Sequence, residues 1–387
     1  MDLNEFKASI PIIPYIRKHY PNIKLERESN DVAFSKCIFH EENTASLCFF
    51  NKNNRYKCFG CGEGGSLIDF VMKVENIDFR EAVRMIANNA GVNYALEPLN
   101  PEHEAYKDEM GKNAMRYVEC LKNSPEALNY LMNIRHLSSD TIEKFRLGYV
   151  PKDEYKIRSD IGGIAGRISF PITEHKVNAK CLGMGYRTLE DNVPKYLNDA
   201  NKDGVFIKGN CLYGFTWARE MAGKKNYVIL TEGYFDVLSM YDSGIENVVA
   251  GMGTALTLNQ AQEILKLSKN VLIMYDMDNA GRKATLKAIE TFLMLKTIPY
   301  VVEFDYHDLD AFANGYKHDG KAIEQNILYN RKPAIDYLCD KLTEQYKRMV
   351  SIERNRALLN ANKYSDLLED SNLKQMFNSL LYKNLDI

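Results

Sequence analysis

The chain has 387 residues, room for roughly two to four domains. Hydrophobic residues make up 45 % and charged residues 26 %. That composition excludes a disordered chain, and no apolar run approaches the ~18 residues that span a bilayer. The formal net charge of −2 gives no bulk attraction to a polyanion, so any nucleic-acid binding must use a local basic patch.

The first residues, Met1-Asp-Leu-Asn-Glu5, carry acid where a signal peptide carries base. A cytoplasmic protein without a membrane partner is expected, and its eight cysteines are expected as thiols or metal ligands rather than disulfides.

The first region, 1–97, contains Cys37-x-x-His40 and, seventeen residues on, Cys58-x-x-Cys61. Two ligand pairs on two tight turns can close a tetrahedron of three thiolates and one imidazole, the donor set zinc prefers. With no open position, such a zinc is structural. Leu47–Phe50 and Tyr56–Phe59 bracket a polar turn, the pattern of a zinc ribbon. Phe39, Phe49, Tyr56 and Phe59, with Lys52, Arg55 and Lys57, can stack on and grip single-stranded DNA; alternatively, the rings form the ribbon's own small core. A helical stretch is expected over Ser66–Ala90.

The polar segment 98–112, with two prolines, is expected as a linker. The region 113–225 reads as a mixed α/β subdomain, helical to Phe145 and then built of short strands. Between Lys156 and Lys225 it has twelve Lys and Arg against seven Asp and Glu, a local basic excess.

The region 226–320 alternates strand and helix. Apolar strands at Val228–Thr231, Val248–Ala250, Val271–Tyr275 and Tyr300–Phe304 are separated by helical patterns over Phe235–Ser243, Leu258–Leu267 and Arg282–Leu295. This spacing predicts a parallel sheet covered on both faces. The remainder, 321–387, has no proline after Pro333 and is expected as a short helical tail. The fold class is therefore multidomain α+β.

In an open parallel sheet, ligands gather beyond the carboxyl ends of the strands. Glu232 follows the first strand, Asp276-x-Asp278 the third, and Asp308-x-Asp310 lies shortly after the fourth. These five acids can converge and hold Mg2+ or Mn2+, which favour oxygen ligands and serve phosphoryl transfer. A calcium loop opening at Asp276 is excluded, because Ala280 stands where it requires an acid or asparagine and Lys287 where it requires glutamate.

Cys37-Ile-Phe-His40, Tyr56-Lys-Cys-Phe-Gly-Cys-Gly62 and Leu67-Ile-Asp-Phe70 resemble the zinc-binding domain of bacterial DnaG-type primases. Thr231-Glu-Gly-Tyr-Phe-Asp236 and Tyr275-Asp-Met-Asp-Asn-Ala-Gly-Arg282 resemble the two halves of a TOPRIM domain. Gly166–Ile172, Pro194–Asn198, Phe206–Gly209 and Leu212–Gly214 resemble the basic subdomain between them. Ile38 and Met277 stand where the family usually has proline and glycine.

The resemblance implies a primase that makes short RNA primers from NTPs on a single-stranded DNA template, with a replicative helicase as partner. It implies Glu232, Asp276 and Asp278 as catalytic residues, with Asp308 and Asp310 as further metal ligands. Arg167, Lys195 and Lys208 would contact the triphosphate or the template. Members of the family usually end in a longer helicase-docking domain, so a compact, phage- or mobile-element-like member is expected. A TOPRIM nuclease and a non-catalytic DNA-binding adaptor are the alternatives. No phosphate-binding loop of a helicase motor occurs.

Overall fold

A computed structural model of the chain describes residues 1–75, 77, 79–94, 96, 100–154, 163–176, 179–191, 193–253, 255–348, 362–368 and 370–385. The expected boundary at Glu97 and Pro98 lies outside these residues, as does Lys156. The chain divides into two units, Met1–Asn100 and Pro101–Ile387.

In the first unit, helices α1 (Leu3–Ser9) and α2 (Ile12–His19) precede an antiparallel sheet. Its strands are β1 (Val32–Ser35), β2 (Leu47–Phe50), β3 (Arg55–Cys58) and β4 (Gly64–Ser66), in that spatial order. The two-stranded ribbon expected from the sequence is thus extended on both sides. Between β2 and β3 the chain reverses at Asn54, whose φ of 49° is left-handed, a conformation asparagine tolerates. The Asn54 and Asn51 side chains accept from the N–H groups of Ile12 and Ile13, at 3.0 Å each. The hairpin therefore satisfies the start of α2, where Pro11 supplies no side-chain cap. Strand alternation buries Leu47, Phe49, Tyr56 and Cys58 with residues of α3 (Leu67–Glu75) and α4 (Phe79–Ala90). These two helices are what the stretch expected over Ser66–Ala90 becomes.

The second unit opens with α5 (Pro101–Lys122). Residues 101–112, expected as linker, are helical: proline is tolerated at the first helical position, and Met110, Ala114, Tyr117 and Leu121 form a buried stripe at helical spacing. Then come α6 (Pro125–Asn129), a π-turn over Tyr130–Ile134, and α7 (Ser139–Lys144). A second antiparallel sheet follows in the order β5 (Gly148–Tyr149), β6 (Arg167–Thr173), β7 (Cys181–Thr188), β8 (Tyr196–Asn198). Helix α5 packs on β5 and β7, and the buried Glu154 accepts from Arg116 and from the Tyr117 hydroxyl (2.7 Å).

After α8 (Phe215–Lys225), the chain alternates as predicted: β9 (Val228–Thr231), α9 (Tyr234–Asp242), β10 (Val248–Ala250), α10 (Leu258–Leu267), β11 (Val271–Ile273), α11 (Asn279–Met294), β12 (Tyr300–Val302). The sheet order is β10-β9-β11-β12-β13, parallel except for β13 (Arg331–Pro333), which pairs antiparallel with β12. Ile229 and Leu272 enter one core, while Val228, Leu230, Val271 and Ile273 enter the other. The sheet is thus buried on both faces, as continuous apolar strands require.

Between β12 and β13 lie α12 (Leu309–Gly315) and α13 (Gly320–Asn330), and α14 (Ala334–Arg348) follows β13. The expected tail is therefore not separate from the sheet. It supplies an edge strand, and α14 with the helix Ser371–Leu385 joins the core of α11 through Leu338, Phe377 and Leu381. Among the described residues no helix is long and apolar enough to cross a membrane.

Candidate carboxylate site and zinc-binding centre

The topology selects one crevice. From β9 the chain runs through α9 to β10 on one side, while β11 pairs with the other side of β9. Helices α9 and α11 pack on opposite faces of the sheet. The loops after β9 and β11 therefore diverge, leaving a groove at the carboxyl ends of the strands. Glu232 stands at the end of β9, Asp276 in the loop after β11, and Asp308 after β12.

Glu232 Oε1 accepts from the Asp276 N–H at 3.2 Å, which ties the first two loops together. Asp278 caps α11, accepting from the Gly281 N–H at 2.7 Å, and Asp308 caps α12, accepting from the Ala311 N–H at 2.8 Å. The close approach depends on Gly281, where a Cβ would lie 2.1 Å from the Asp276 carbonyl oxygen and 2.9 Å from Glu232 Oε1.

Asp236, which the sequence reading did not single out, belongs to the same cluster. It is buried, and its Oδ2 accepts from the Gly233 N–H (2.8 Å) and the Thr231 hydroxyl (3.0 Å). Its position one helical turn after Glu232 was the available signal.

The acids burden one another. Burial, then Glu232 and Asp308, pushes the Asp276 carboxyl up to about 7. Burial, then Asp276, pushes Asp236 up to about 7. Glu232 is raised by burial and by Asp236 and Asp278. An all-oxygen donor set with excess negative charge suits a hard divalent cation. The acids line an open groove rather than a closed cage: among the described residues, only Cys37, His40, Cys58 and Cys61 bring three or more such ligand atoms within 4.8 Å of one another.

Two expected site residues are placed elsewhere. Asp310 is 6 % exposed and faces away from the groove, paired with Arg135 and accepting from the Ser239 hydroxyl. Asp308 is the extended N-cap outside α12, whereas Asp310 lies within its first turn, on the face buried against α9 and Arg135. Arg167 is also buried, its guanidinium donating to the carbonyls of Gly163 (2.6 Å) and Pro194 (2.8 Å). It braces the loop before β8.

Lys195 in that loop is exposed. Lys208 is half-buried, and burial lowers its ammonium pKa. Sequence reasoning missed Arg135 and Arg187, whose Nε groups both donate to the Tyr130 hydroxyl, at 3.0 and 2.7 Å. Arg187 Nη1 is buried and has no hydrogen-bond partner. Neither arginine sits in a local pattern that marks it.

In the first unit, Cys37 Sγ lies 3.9 Å from Cys61 Sγ, and Cys58 Sγ 3.8 Å from His40 Nδ1. A tetrahedral zinc with bonds near 2.0–2.3 Å has edges of about 3.5–3.8 Å, so the four donors fit it. Glu42 Oε2 stands 3.3 Å from His40 Nε2, and Oε1 accepts from the N–H groups of Cys37 (2.6 Å) and Ser46 (3.0 Å). Glu42 thereby orients the imidazole so that Nδ1 faces the thiolates. Lys52, Arg55 and Lys57 are exposed, Lys57 Nζ donating to the Gly62 carbonyl at 2.5 Å. Of the ribbon's rings, Phe49 and Tyr56 are buried and Phe39 packs against Tyr56 and Phe70. Phe59 is 67 % exposed.

Residues 1–101 match the CHC2 zinc finger family, residues 161–219 the N-terminal domain of the DNA primase catalytic core, and residues 229–313 a Toprim-like family. The chain is 33 % identical over 335 residues to a DNA primase of Aquifex aeolicus, covering 80 % of this chain and 66 % of that protein. It is 31 % identical over 392 residues to a DNA primase of Helicobacter pylori, covering 93 % and 68 %. A DNA primase of Clostridium acetobutylicum is 32 % identical, and the chain spans 58 % of its length. The crystal structure of the zinc-binding and RNA polymerase domains of the Aquifex aeolicus primase superposes with a TM-score of 0.58 at 29 % identity, covering 100 % of this chain and 98 % of that one. With zinc-finger, primase catalytic-core and Toprim-like matches in succession along one chain, and a DNA primase 31 % identical over 93 % of it, the chain belongs to the bacterial DnaG-type primase family.

Proposed function

We propose that the chain synthesises short RNA primers on single-stranded DNA, as a DNA-directed RNA polymerase of primase type. The carrying observation is the acids gathered at the strand ends: the carboxyls of Glu232, Asp236 and Asp276 are raised, with Asp278 and Asp308 among the neighbouring charges that raise them, in the same folded unit as the β5–β8 sheet.

Glu232, Asp276, Asp278 and Asp308 would hold Mg2+ or Mn2+, which would neutralise charge developing on the phosphates and acidify the attacking hydroxyl. Glu232, made more basic by burial, accepts the proton of the primer's 3′-hydroxyl. The oxygen attacks the α-phosphorus of an NTP, the new O–P bond forms, and the bond to the β-phosphate breaks with release of pyrophosphate. Lys195 and Lys208 neutralise the triphosphate, and such charge-assisted bonds are the strong ones. The ribbon, closed by zinc, binds template through Lys52, Arg55 and Lys57, with Phe59 available to stack on a base. A cytoplasmic location and a replicative helicase partner complete the reading.

The test is a priming assay with single-stranded DNA, labelled NTPs and Mg2+ or Mn2+. Wild type should yield short RNA, and Glu232→Gln none while still binding DNA. Normal primer yield from Glu232→Gln would remove Glu232 from the chemistry. DNA cutting without NTPs would favour a nuclease instead.

A further inference from the structure

We propose that Asp310 is a positioning residue and not a metal ligand: with Arg135 it latches the first turn of α12 to the π-turn of the basic subdomain, and so aims Asp308 into the groove. The inference rests on the carboxylate groove being the metal site.

Every oxygen of the Asp310 carboxylate is already engaged. Oδ1 accepts from the Ser239 hydroxyl on α9, and Oδ2 accepts from Arg135 Nη1. Asn314 Nδ2 donates to the Asp310 carbonyl at 2.8 Å. The acid is 6 % exposed, while the Asp308 side chain is 33 % exposed, its Oδ1 accepting from the Ala311 N–H and its Oδ2 3.6 Å from the Nδ1 of the exposed His307.

Arg135 is held as firmly. The π-turn bond from its N–H to the Tyr130 carbonyl (2.9 Å) sets the two side chains alongside each other, so that Arg135 Nε donates to the Tyr130 hydroxyl. Its guanidinium lies 4.4 Å from the Phe235 ring centroid on α9. Tyr130 also accepts from Arg187 on β7. An unbroken path thus runs from β7 through Tyr130 and Arg135 to Asp310 and α9. Since Asp308 is the N-cap of α12 and Asp310 lies in its first turn, fixing Asp310 fixes the direction of Asp308.

Ligands and latches leave opposite thermal signatures. Removing a ligand relieves repulsion in the metal-free protein and abolishes stabilisation by metal. Removing one partner of a buried ion pair destabilises the metal-free protein and leaves metal-induced stabilisation in place. The experiment measures Tm of the full chain in chelator and in Mn2+ for wild type, Asp308→Asn and Asp310→Asn.

Asp308→Asn should keep or raise the metal-free Tm and lose most of the Mn2+ shift. Asp310→Asn should lower the metal-free Tm by about 5 °C or more and retain a Mn2+ shift. With Asp308 no longer aimed, that shift should need several-fold more Mn2+ than wild type in a Mn2+ titration. A lowered Tm with an unmoved titration would make Asp310 merely structural and overturn the proposal. An unchanged metal-free Tm with a lost Mn2+ shift in Asp310→Asn would make it a ligand and overturn the proposal. If Asp310→Asn does not fold, Arg135→Met is judged by the same readings. Absence of any Mn2+ shift in wild type would sink the metal-site reading, whereas an unchanged metal-free Tm in Asp310→Asn sinks the latch by itself.

Discussion

Gly281→Ala isolates how tightly the groove is built. Gly281 lies in the first turn of α11, where alanine is favoured over glycine by about 1 kcal/mol. On helix propensity alone, the substitution stabilises. The site argument predicts the reverse, because the new Cβ would stand 2.1 Å from the Asp276 carbonyl oxygen, where contacts under 3.0 Å are essentially never found. The Asp276 loop must retreat by about 1 Å, a misplacement that can cost roughly a hundredfold in rate, or about 2.7 kcal/mol of barrier. It also strains the bond from the Asp276 N–H to Glu232, so both acids move together. Priming rates on single-stranded DNA and Tm in chelator test this: synthesis should fall about a hundredfold, and Tm should not rise. Wild-type synthesis with a raised Tm would refute the close-approach argument.

The remaining predictions address pH, zinc and template. Burial and neighbouring acids push Asp236 and Asp276 up to about 7 in the folded chain, from an ordinary aspartate value of 3.8. Folding therefore takes up protons between about pH 4 and 7, and metal-free stability should fall as pH rises through that window. Denaturant melts at pH 5 and pH 8 in chelator should show this, and Mn2+ should restore the loss at pH 8; a flat profile would contradict the clustered acids. Gly60→Ala places a Cβ 2.6 Å from His40 Nε2, so zinc content by metal analysis should drop while the second unit keeps its melting transition. Because Lys52, Arg55 and Lys57 are exposed, replacing any one by alanine should weaken single-stranded DNA binding and reduce its log–log salt slope by about 0.7. An unchanged slope would remove that residue from the phosphate contacts.

The sequence by itself determined the parts whose physics is local. Ligand pairs with two residues between them are bound to sit on tight turns, so the zinc centre was legible from Cys37 to Cys61. Strands β9 to β12 were legible because a sheet buried on both faces must be built from continuous apolar runs, and Glu232 and Asp276 because ligands collect at the ends of such strands. Asp310 and Arg167, expected at the metal and nucleotide site, are buried against other partners; motif spacing does not say which way a side chain turns. Arg135 and Ser239 for Asp310, and two backbone carbonyls 4 and 27 residues from Arg167, are contacts made only in the folded chain. Asp236 was missed because its charge matters only once α9 brings it beneath the acids of other loops. The Arg135–Asp310 pair joins residues 175 apart in the chain, and β13 pairs with β12 across two intervening helices. Such contacts have no local signature, since packing between distant elements creates them, and only the tertiary structure could decide them.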